Sequence, residues 1–374
     1  MSPCISSHAS ACCSAATSVS LRRLGVGRST SLGDMPHTLA VYGDSRTRGL
    51  SQGEHLRADI HDVVHRVIDS MGGPDGVDRF LTSTNFLPAI TQHTPHLFTE
   101  LKGIAVGADA RFADLLAHNL MDEYWWWSQA DRYRDACSSI ASVGPPALVG
   151  QTMDLDRVLD GSQCLVSHHD DSATLAVLTS AGMVGLCGAS SMGFGLCVNA
   201  LTMLTHSASG LPVAFALRGA LAQPDAQRAL DFLRSVPHAS GQHYAIVGRG
   251  PHGQMMSASI ECSAHGATAS AEANISFGHA NHPLASTDID PHASTGADGS
   301  SALRQSALEA ALPSITSANS LMHLLSTEPL CEPRRDDRDW FTFGAIVAQI
   351  DGAVTIHYTL GPPDTDPWQT AAVA

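Results

Sequence analysis

The hydrophobic pattern of the first third of the chain predicts helices. Ser51-Gln52-Gly53-Glu54 has the spacing of a capping box, in which the serine accepts from a helix amide and the glutamate reaches back. The helix predicted after it carries one apolar stripe, formed by Leu56, Ile60, Val63, Val64, Val67 and Ile68. We expect it to end at Gly72-Gly73-Pro74. A second helical stretch is predicted from about Pro95 to Tyr124, with a break near Gly103 or Gly107.

From Cys137 onward the pattern changes to short apolar runs between turn residues, which is typical of strands covered on both faces. The predicted strands are Ser138–Ser142, Ala147–Gln151, Cys164–Ser167, Leu175–Leu178, Met183–Cys187, Leu196–Asn199, Thr342–Ile350 and Val354–Leu360. Asp351-Gly352 predicts a tight hairpin between the last two. Asp225–Leu233 and Ser317–Leu325 are predicted helices, and Asp288–Gly299 a long exposed loop. Helices followed by strands, helices and strands again predict a layered mixture of both.

The uncharged stretch Ser172–Leu217 is long enough to be considered as a membrane span. Six glycines interrupt it, at 182, 185, 188, 193, 195 and 210, so we interpret it as short strands joined by turns. His168-His169-Asp170-Asp171, just before it, is predicted to be an exposed loop.

Composition narrows the function classes. The chain has 374 residues, 44% of them hydrophobic, and a formal net charge of −15. That charge provides no field for nucleic acid or an anionic membrane surface, so neither is expected as a partner. Nine cysteines without a regular spacing, most of them among apolar neighbours, favour buried reduced thiols and a cytoplasmic location. Residues 1–34 are rich in serine and are interpreted as a disordered leader or a start placed too early.

No cofactor or metal is predicted. The chain contains no GxxxxGK phosphate loop. His279 and His282 lack the regular ligand spacing and the carboxylate partners of a metal site. Trp125-Trp126-Trp127 has two interpretations, core packing at a helix end or the lining of a pocket for an apolar acyl group, and the sequence does not separate them.

Cys137 lies where the helical part of the chain meets the strand-rich part, in the run Asp135-Ala136-Cys137-Ser138-Ser139. An internal thiol is mostly protonated near neutral pH and needs a base to become a nucleophile. If the bond between Ala136 and Cys137 is broken, the new α-amine supplies that base. Without further context, however, an isolated cysteine in a strand is more often a core residue.

Several motifs together resemble the acyl-coenzyme A:6-aminopenicillanate acyltransferase family, whose members are self-cleaving N-terminal-nucleophile (Ntn) hydrolases. They are the Asp-x-Cys-Ser-Ser run, Gly150–Asp154, Gly182–Gly185, Gly193–Leu196 and His279–His282. The similarity extends from about Gly49 to Pro362. It implies an α+β fold, the four-layer αββα sandwich, made of fragments 35–136 and 137–374 that stay associated as one folded unit after cleavage between Ala136 and Cys137.

The resemblance also implies roles for individual residues. Cys137 matches the nucleophile, and Ser139 a small hydroxyl residue close to it. Asp154 matches a carboxylate near the new amine, and Asn281 the oxyanion-hole amide. Arg338 matches a C-terminal arginine, although Arg334 and Arg335 stand nearby. Asp154 and Asn281 could instead be ordinary turn residues.

The function predicted from these features is that of a thiol amidohydrolase that activates itself and forms a thioester on Cys137. The expected partner is a small acyl amide or acyl thioester substrate. One alternative is a coenzyme A-dependent N-acyltransferase, for which the cluster Arg334-Arg335-Arg338 is the only sign. The other is a non-catalytic scaffold on the same fold.

Overall fold

The computed structural model describes residues 37–128, 136–272, 274–293 and 299–374. From His37 to Ala374 the chain forms one compact unit. The predicted leader over residues 1–34 lies outside the described residues, as does Asp135.

The described residues contain two β-sheets. Their strands are β1 Thr38–Tyr42, β2 Ala136–Ser142, β3 Ala147–Asp156, β4 Gln163–His169, β5 Thr174–Ser180, β6 Cys187–Ser190, β7 Phe194–Ala200, β8 Gln242–Arg249, β9 Met255–Ser263, β10 Gly266–Glu272, β11 Phe277–His279, β12 Trp340–Asp351, β13 Ala353–Thr359 and β14 Gln369–Val373. Sheet A has the order β1-β4-β5-β6-β7-β8-β9-β10, and sheet B the order β11-β2-β3-β12-β13-β14. Among the strands described above, the pair β1–β4 alone is parallel.

Helices cover both sheets. They are α1 Ser45–His55, α2 Arg57–Ser70, α3 Gly73–Ser83, α4 Leu87–His93, α5 Pro95–Ala108, α6 Phe112–His118, α7 Met121–Ser128, α8 Val213–Leu221, α9 Ala226–Ser235, α10 Ser300–Ala311 and α11 Ala318–Leu325. Helices α8 and α9 contact sheet A, and α10 and α11 contact sheet B. Strands β2 and β3 of sheet B contact β7 and β8 of sheet A, so the sheets face each other between the helix layers.

Alternation along β2 separates two apolar cores, because successive side chains of a strand point to opposite faces. Cys137 and Ala141 belong to the large core between the sheets, which also includes residues of α2, α5 and α8. Ile140 belongs to a smaller core under α10 and α11. The helices before residue 129 therefore share one core with the strands after residue 136.

The predicted helices are largely present, but two of their boundaries are wrong. The first helix begins at Ser45 with Asp44 as its N-cap, so Ser51 lies inside α1 and is no cap. The apolar stripe is buried along α2, as predicted. The second stretch breaks at Asp109, which adopts the left-handed conformation, rather than at a glycine. The end predicted at Gly72 is confirmed, because α2 ends at Ser70 and Gly72 is the N-cap of α3.

Most predicted strands are confirmed, and Asp351-Gly352 forms the expected turn with Gly352 at φ +71°. Met183–Cys187 is wrong, because residues 183–186 are irregular, with bends at Val184 and Leu186, and β6 begins at Cys187. His168 is not in an exposed loop either, because it ends β4 as a buried side chain beside Glu100. Within the described residues, none of the helices has the length and apolar character required to cross a bilayer.

Candidate active site

Cys137 is the second residue of β2, which lies between the edge strand β11 and β3 in sheet B. It pairs with Met153 of β3, and its side chain points between the sheets. Only 6% of the residue is exposed. Gln151, two residues before Met153, fixes the spacing of the sheets here, because its amide accepts from the backbone N–H of Val198 at 3.0 Å and donates to the carbonyl of the same residue.

Both backbone polar groups of Cys137 have side-chain partners. Its N–H donates to Oδ1 of Asn281 at 2.8 Å, and its carbonyl accepts from Nη1 of Arg304 at 2.6 Å. Nδ2 of Asn281 donates to the carbonyl of Ala200 at 2.9 Å. The amide of Asn281 thus presents its oxygen, and not its NH₂, to Cys137. Its predicted role as an oxyanion donor stays a prediction that requires the amide to turn.

Arg304 is a site residue that the sequence analysis did not find. It lies on α10, only 3% exposed, and besides the Cys137 carbonyl its Nη1 contacts Oγ of Ser138 at 3.1 Å and Oδ1 of Asn281 at 3.0 Å. A guanidinium buried this deeply requires such partners. Its one sequence signal is the spacing to Leu308, which places both on the buried face of α10.

Asp154 lies directly across from Ala136 in the register of β2 and β3, beside the predicted cleavage point. The residue is 2% exposed, and its Oδ1 accepts a 2.5 Å hydrogen bond from Oγ1 of Thr342. Burial raises the pKa of Asp154 to about 7, although this hydrogen bond and the charge of Arg304 act in the other direction. The carboxyl group is therefore poised to change its charge near neutral pH.

The loop that carries Asn281 is held by Glu261 of β9. The Glu261 carboxylate accepts from Nε2 of His279 at 2.9 Å and from the backbone N–H groups of Leu284, Ala285 and Ser286. Burial opposes its ionisation, but the hydrogen bonds from His279 and the backbone nevertheless lower the pKa of Glu261. A carboxylate with this many donors is a rigid anchor for the loop.

The two histidines considered for a metal are engaged elsewhere. His279 pairs with Glu261 and stacks on His243 with 3.6 Å between ring centroids. His282 Nδ1 contacts Oγ of Ser301 at 2.8 Å. No group of three or more potential ligands gathers among the described residues.

The remaining predicted residues, Ser139 and Arg338, lie in different places, on β2 itself and at the rim of a cleft. Ser139 is buried on the same face of β2, with Oγ donating to the carbonyl of His279 at 3.5 Å. Arg338 lies at the rim of a cleft, where Nη1 contacts Oε1 of Glu332 at 2.6 Å and the guanidinium covers the ring of Trp340. The structure thus brings Asp154 and Asn281 to the strand that carries Cys137 and Ser139. Arg338 lies at the cleft rim, and the arginine that contacts Asn281 is Arg304.

Two cavities adjoin the site. The cleft has a volume of about 1140 Å³, and its walls include Ala136, Asp154, Arg304 and Arg338. On the other side of β2, a cavity of about 30 Å³ lies against Cys137 between the sheets. Ala136 and Cys137 therefore face two different spaces.

The three tryptophans have different surroundings, and an acyl-pocket role for any of them stays a prediction. Trp127 packs against Phe80 and Tyr124 in an aromatic cluster, which is core packing. Trp126 stacks on His206. Trp125 alone of the three lines the large cleft among the described residues.

Two sheets packed between helix layers form the αββα architecture of the Ntn hydrolases, which confirms the predicted fold class. The family described as "Acyl-coenzyme A:6-aminopenicillanic acid acyl-transferase" matches residues 143–342, a little over half of the chain. The chain therefore belongs to that family, as its motifs predicted. The matched range includes Asp154, Asn281 and Arg304 and begins after Cys137.

One curated relative is the acyl-coenzyme A:6-aminopenicillanic-acid-acyltransferase 40 kDa form of Emericella nidulans. It is 26% identical over 163 residues, which cover 42% of this chain and 44% of that protein. The match thus spans less than half of the relative's length. Among solved structures, penicillin V acylase from Agrobacterium tumefaciens superposes with a TM-score of 0.38 at 12% identity, over 63% of this chain and 86% of that one.

Proposed function

We propose that the chain cuts itself between Ala136 and Cys137 and then works as a thiol amidohydrolase. In the first reaction the Cys137 thiol adds to the carbonyl carbon of Ala136. The C–N bond breaks, the nitrogen takes the thiol proton to become a free α-amine, and a thioester forms. Water then hydrolyses the thioester, which leaves a carboxylate on Ala136 and a free thiol on Cys137.

The hydrogen bond between Cys137 N and Asn281 Oδ1, 2.8 Å long, is the observation that carries this proposal. This nitrogen is the atom that becomes the amine, and an amide oxygen holds both an N–H and an amine at the same place. Strand β2 otherwise uses its backbone groups for sheet pairing. The side-chain partner thus distinguishes Cys137 from the other residues of β2 and supports its role as the reacting residue.

In each later turnover the α-amine accepts the thiol proton, and the thiolate attacks the carbonyl of the substrate amide. The leaving amine takes a proton, and an acyl thioester remains on Cys137. Water activated by the same α-amine releases the acid. In this proposal Asp154, when ionised, favours the protonated amine, Arg304 holds Asn281 and the Cys137 carbonyl in place, and Ser139 and Arg338 act from a greater distance.

Hydrolysis is favoured over transfer from coenzyme A because the arginine cluster has no free member to bind phosphates. Arg334 pairs with Asp160 and Asp366. Arg335 contacts Glu328 and Glu332, and Arg338 contacts Glu332. The arginine cluster is therefore neutralised by carboxylates, and the transferase alternative rests on the family to which the chain belongs. The two fragments are expected to stay associated, since they share one apolar core.

Intact mass of the purified protein is the measurement that tests the proposal. The wild type is expected to give two fragments, the larger beginning at Cys137, and Cys137→Ala a single uncut chain. Cys164→Ala, which removes a buried thiol of β4, serves as the matched control and is expected to be cut. A wild type that is never cut, with a Cys137 that acylating reagents do not modify, contradicts the proposal and favours the scaffold alternative. Consumption of acyl-coenzyme A only when an amine acceptor is present favours the transferase instead.

A further inference from the structure

The small cavity between the sheets has one polar end. Its walls near Cys137 are apolar, formed by Met153, Leu155, Gly185, Leu186, Val198, Ala200 and Val213. Asp122 of α7 and Gln242 of β8 also line it. Gln151 lines it as well, but the amide of that residue is occupied by Val198. A carboxyl group thus shares a space of about 30 Å³ with the thiol.

The Asp122 carboxyl group has spare hydrogen-bonding capacity. Within the part of the chain that the structure describes, its one hydrogen bond comes from Nε2 of Gln242, at 3.1 Å on Oδ2. An ionised carboxyl group offers about four acceptor positions, so Asp122 can accept a further hydrogen bond from a donor group of a ligand in the cavity. Next to it, Glu123 accepts from Val213 N–H at 3.0 Å and from Ser240 Oγ at 2.9 Å, and these bonds fix the end of α7.

The charges around Asp122 favour a donor over an apolar group. Burial raises the pKa of Asp122 to about 6 and that of Glu123 to about 8, the latter also because Asp122 is near. Tyr244 is the further titratable group of β8 close to this pair, and burial raises the pKa of its hydroxyl as well. Near neutral pH the pair therefore holds negative charge, and none of the ion pairs among the described residues includes Asp122 or Glu123.

We propose, on the basis of the proposed function, that this cavity receives the acyl part of the substrate, and that Asp122 selects short acyl groups with a hydroxyl or ammonium group on the carbon next to the carbonyl. The volume limits the length: roughly 10–15 Å³ of cavity space accommodates one water, so a cavity of about 30 Å³ has room for about two heavy atoms beyond the carbonyl. A benzene ring, in contrast, occupies an engineered cavity of roughly 150 Å³. Asp122 is thus a specificity-determining residue rather than part of the thiol chemistry.

Three acyl thioesters of N-acetylcysteamine that differ in one group test the inference. Propanoyl, hydroxyacetyl and glycyl thioesters carry CH₃, OH and NH₃⁺ at the same position. Each transfers its acyl group to the Cys137 sulfur and releases the N-acetylcysteamine thiol, and water then releases the acid. Because a buried acceptor left unpaired is costly, kcat/KM of the wild type is expected to be at least about tenfold higher for the hydroxyacetyl or glycyl thioester than for the propanoyl one.

Variants of Asp122 give the discriminating result. Asp122→Leu, which is similar in shape, is expected to remove the preference, so that the ratio of kcat/KM between the hydroxyacetyl or glycyl thioester and the propanoyl one falls to about one. Asp122→Asn, which perturbs folding less, is expected to keep the higher kcat/KM for the hydroxyacetyl thioester and to lose it for the glycyl thioester. Asp231→Asn, on the exposed side of α9, is the control and keeps the wild-type ratios.

Two outcomes overturn the inference separately from the proposed function. If a thioester forms on Cys137 but the three substrates react equally, or if both Asp122 variants keep the wild-type ratios, the inference is wrong and the nucleophile stands. If intact mass shows no thioester on Cys137 with any of the three substrates, the proposed function fails and the inference fails with it.

Discussion

At the scale of single residues, the surroundings of Cys137 depend on Arg304. One nitrogen of its guanidinium contacts the Cys137 carbonyl, Ser138 and Asn281. Lysine keeps the charge but loses the planar fork, so the geometry at Asn281 changes while the electrostatics remain. Arg304 is therefore a positioning residue in the proposed reaction.

We predict that Arg304→Lys slows self-cleavage and lowers kcat by roughly 10- to 100-fold, in the range of mutations that misplace reacting groups. Fragment formation followed by intact mass, together with the split between kcat and KM, measures the effect. Arg228→Lys on the exposed face of α9 is the matched control. Equal cleavage rates for Arg304→Lys and the control contradict the assignment, and a larger effect of Arg338→Lys than of Arg304→Lys assigns the positioning role to Arg338 instead.

Asp154 gives a prediction on pH. Its native pKa of about 7 exceeds the ordinary value of 3.8, so the native state binds a proton that the unfolded chain releases between these values. Stability is thus lost as the pH rises from about 4 to about 7. In the uncut Cys137→Ala background, Asp154→Asn is expected to gain a few kcal/mol in unfolding free energy relative to Asp154 over this range. Urea unfolding at several pH values measures the gain, and a difference that does not change with pH contradicts the prediction.

At the scale of elements, helices α1 and α5 pack through two pairs of glycines. Gly49 and Gly53 of α1 face Gly103 and Gly107 of α5, and a Cβ atom on Gly53 would lie 2.3 Å from the carbonyl oxygen of Ile104. Small residues at this spacing allow two helix backbones to approach closely. The glycines that the sequence analysis took for a helix break are therefore a packing surface.

Gly53→Ala is expected to destabilise the protein by about 1 to 3 kcal/mol, because the added methyl group overpacks a contact between backbones. Thermal unfolding measures the loss as a lower Tm. Gly144→Ala, in the turn after β2 where nothing lies within 4 Å, is the control and is expected to leave Tm nearly unchanged. Equal Tm values for the two variants contradict the close packing.

At the scale of the whole molecule, a buried ion cluster ties the helices before the site to sheet A. Glu100 of α5 contacts Arg48 of α1 at 3.3 Å and Arg218 of α8 at 3.2 Å. Arg218 reaches His168 at the end of β4, at 2.8 Å. Arg48 also contacts Asp170, at 3.3 Å. The cluster lies on the proposed smaller fragment and the proposed larger one alike, so it contributes to their association.

Glu100→Gln is expected to cost about 3 to 5 kcal/mol of unfolding free energy, since it leaves two buried guanidinium groups without their shared carboxylate. Urea unfolding of the Cys137→Ala chain measures this cost. Glu54→Gln, on the exposed side of α1, is the control. In the cleaved protein, the same change is expected to let the fragments separate at lower urea concentration in size-exclusion chromatography. A variant as stable as the control contradicts the role of the cluster.

The sequence by itself determined which segments are helices and which are strands wherever the pattern is local and regular. The stripe of α2, the strands around Cys137 and the Asp351-Gly352 turn follow from the spacing of near neighbours, and this spacing can be read directly from the sequence. It also determined the family and the fold class, because Cys137, Asp154 and Asn281 occur in recognisable short motifs. Strands such as β8, β9 and β14 were not predicted, because polar residues such as Gln242, Ser257 and Gln369 interrupt their apolar runs.

Only the tertiary structure decided which residues meet at Cys137. Arg304 is 167 residues from Cys137 along the chain, and no spacing rule connects residues on a helix and a strand so far apart. The same holds for Glu261 behind Asn281, for Glu100 between two arginines, and for Asp122 in the cavity of the thiol. These contacts arise when the layers pack together. A buried polar group then requires a hydrogen-bonding partner, and the local sequence does not specify which residue that partner is.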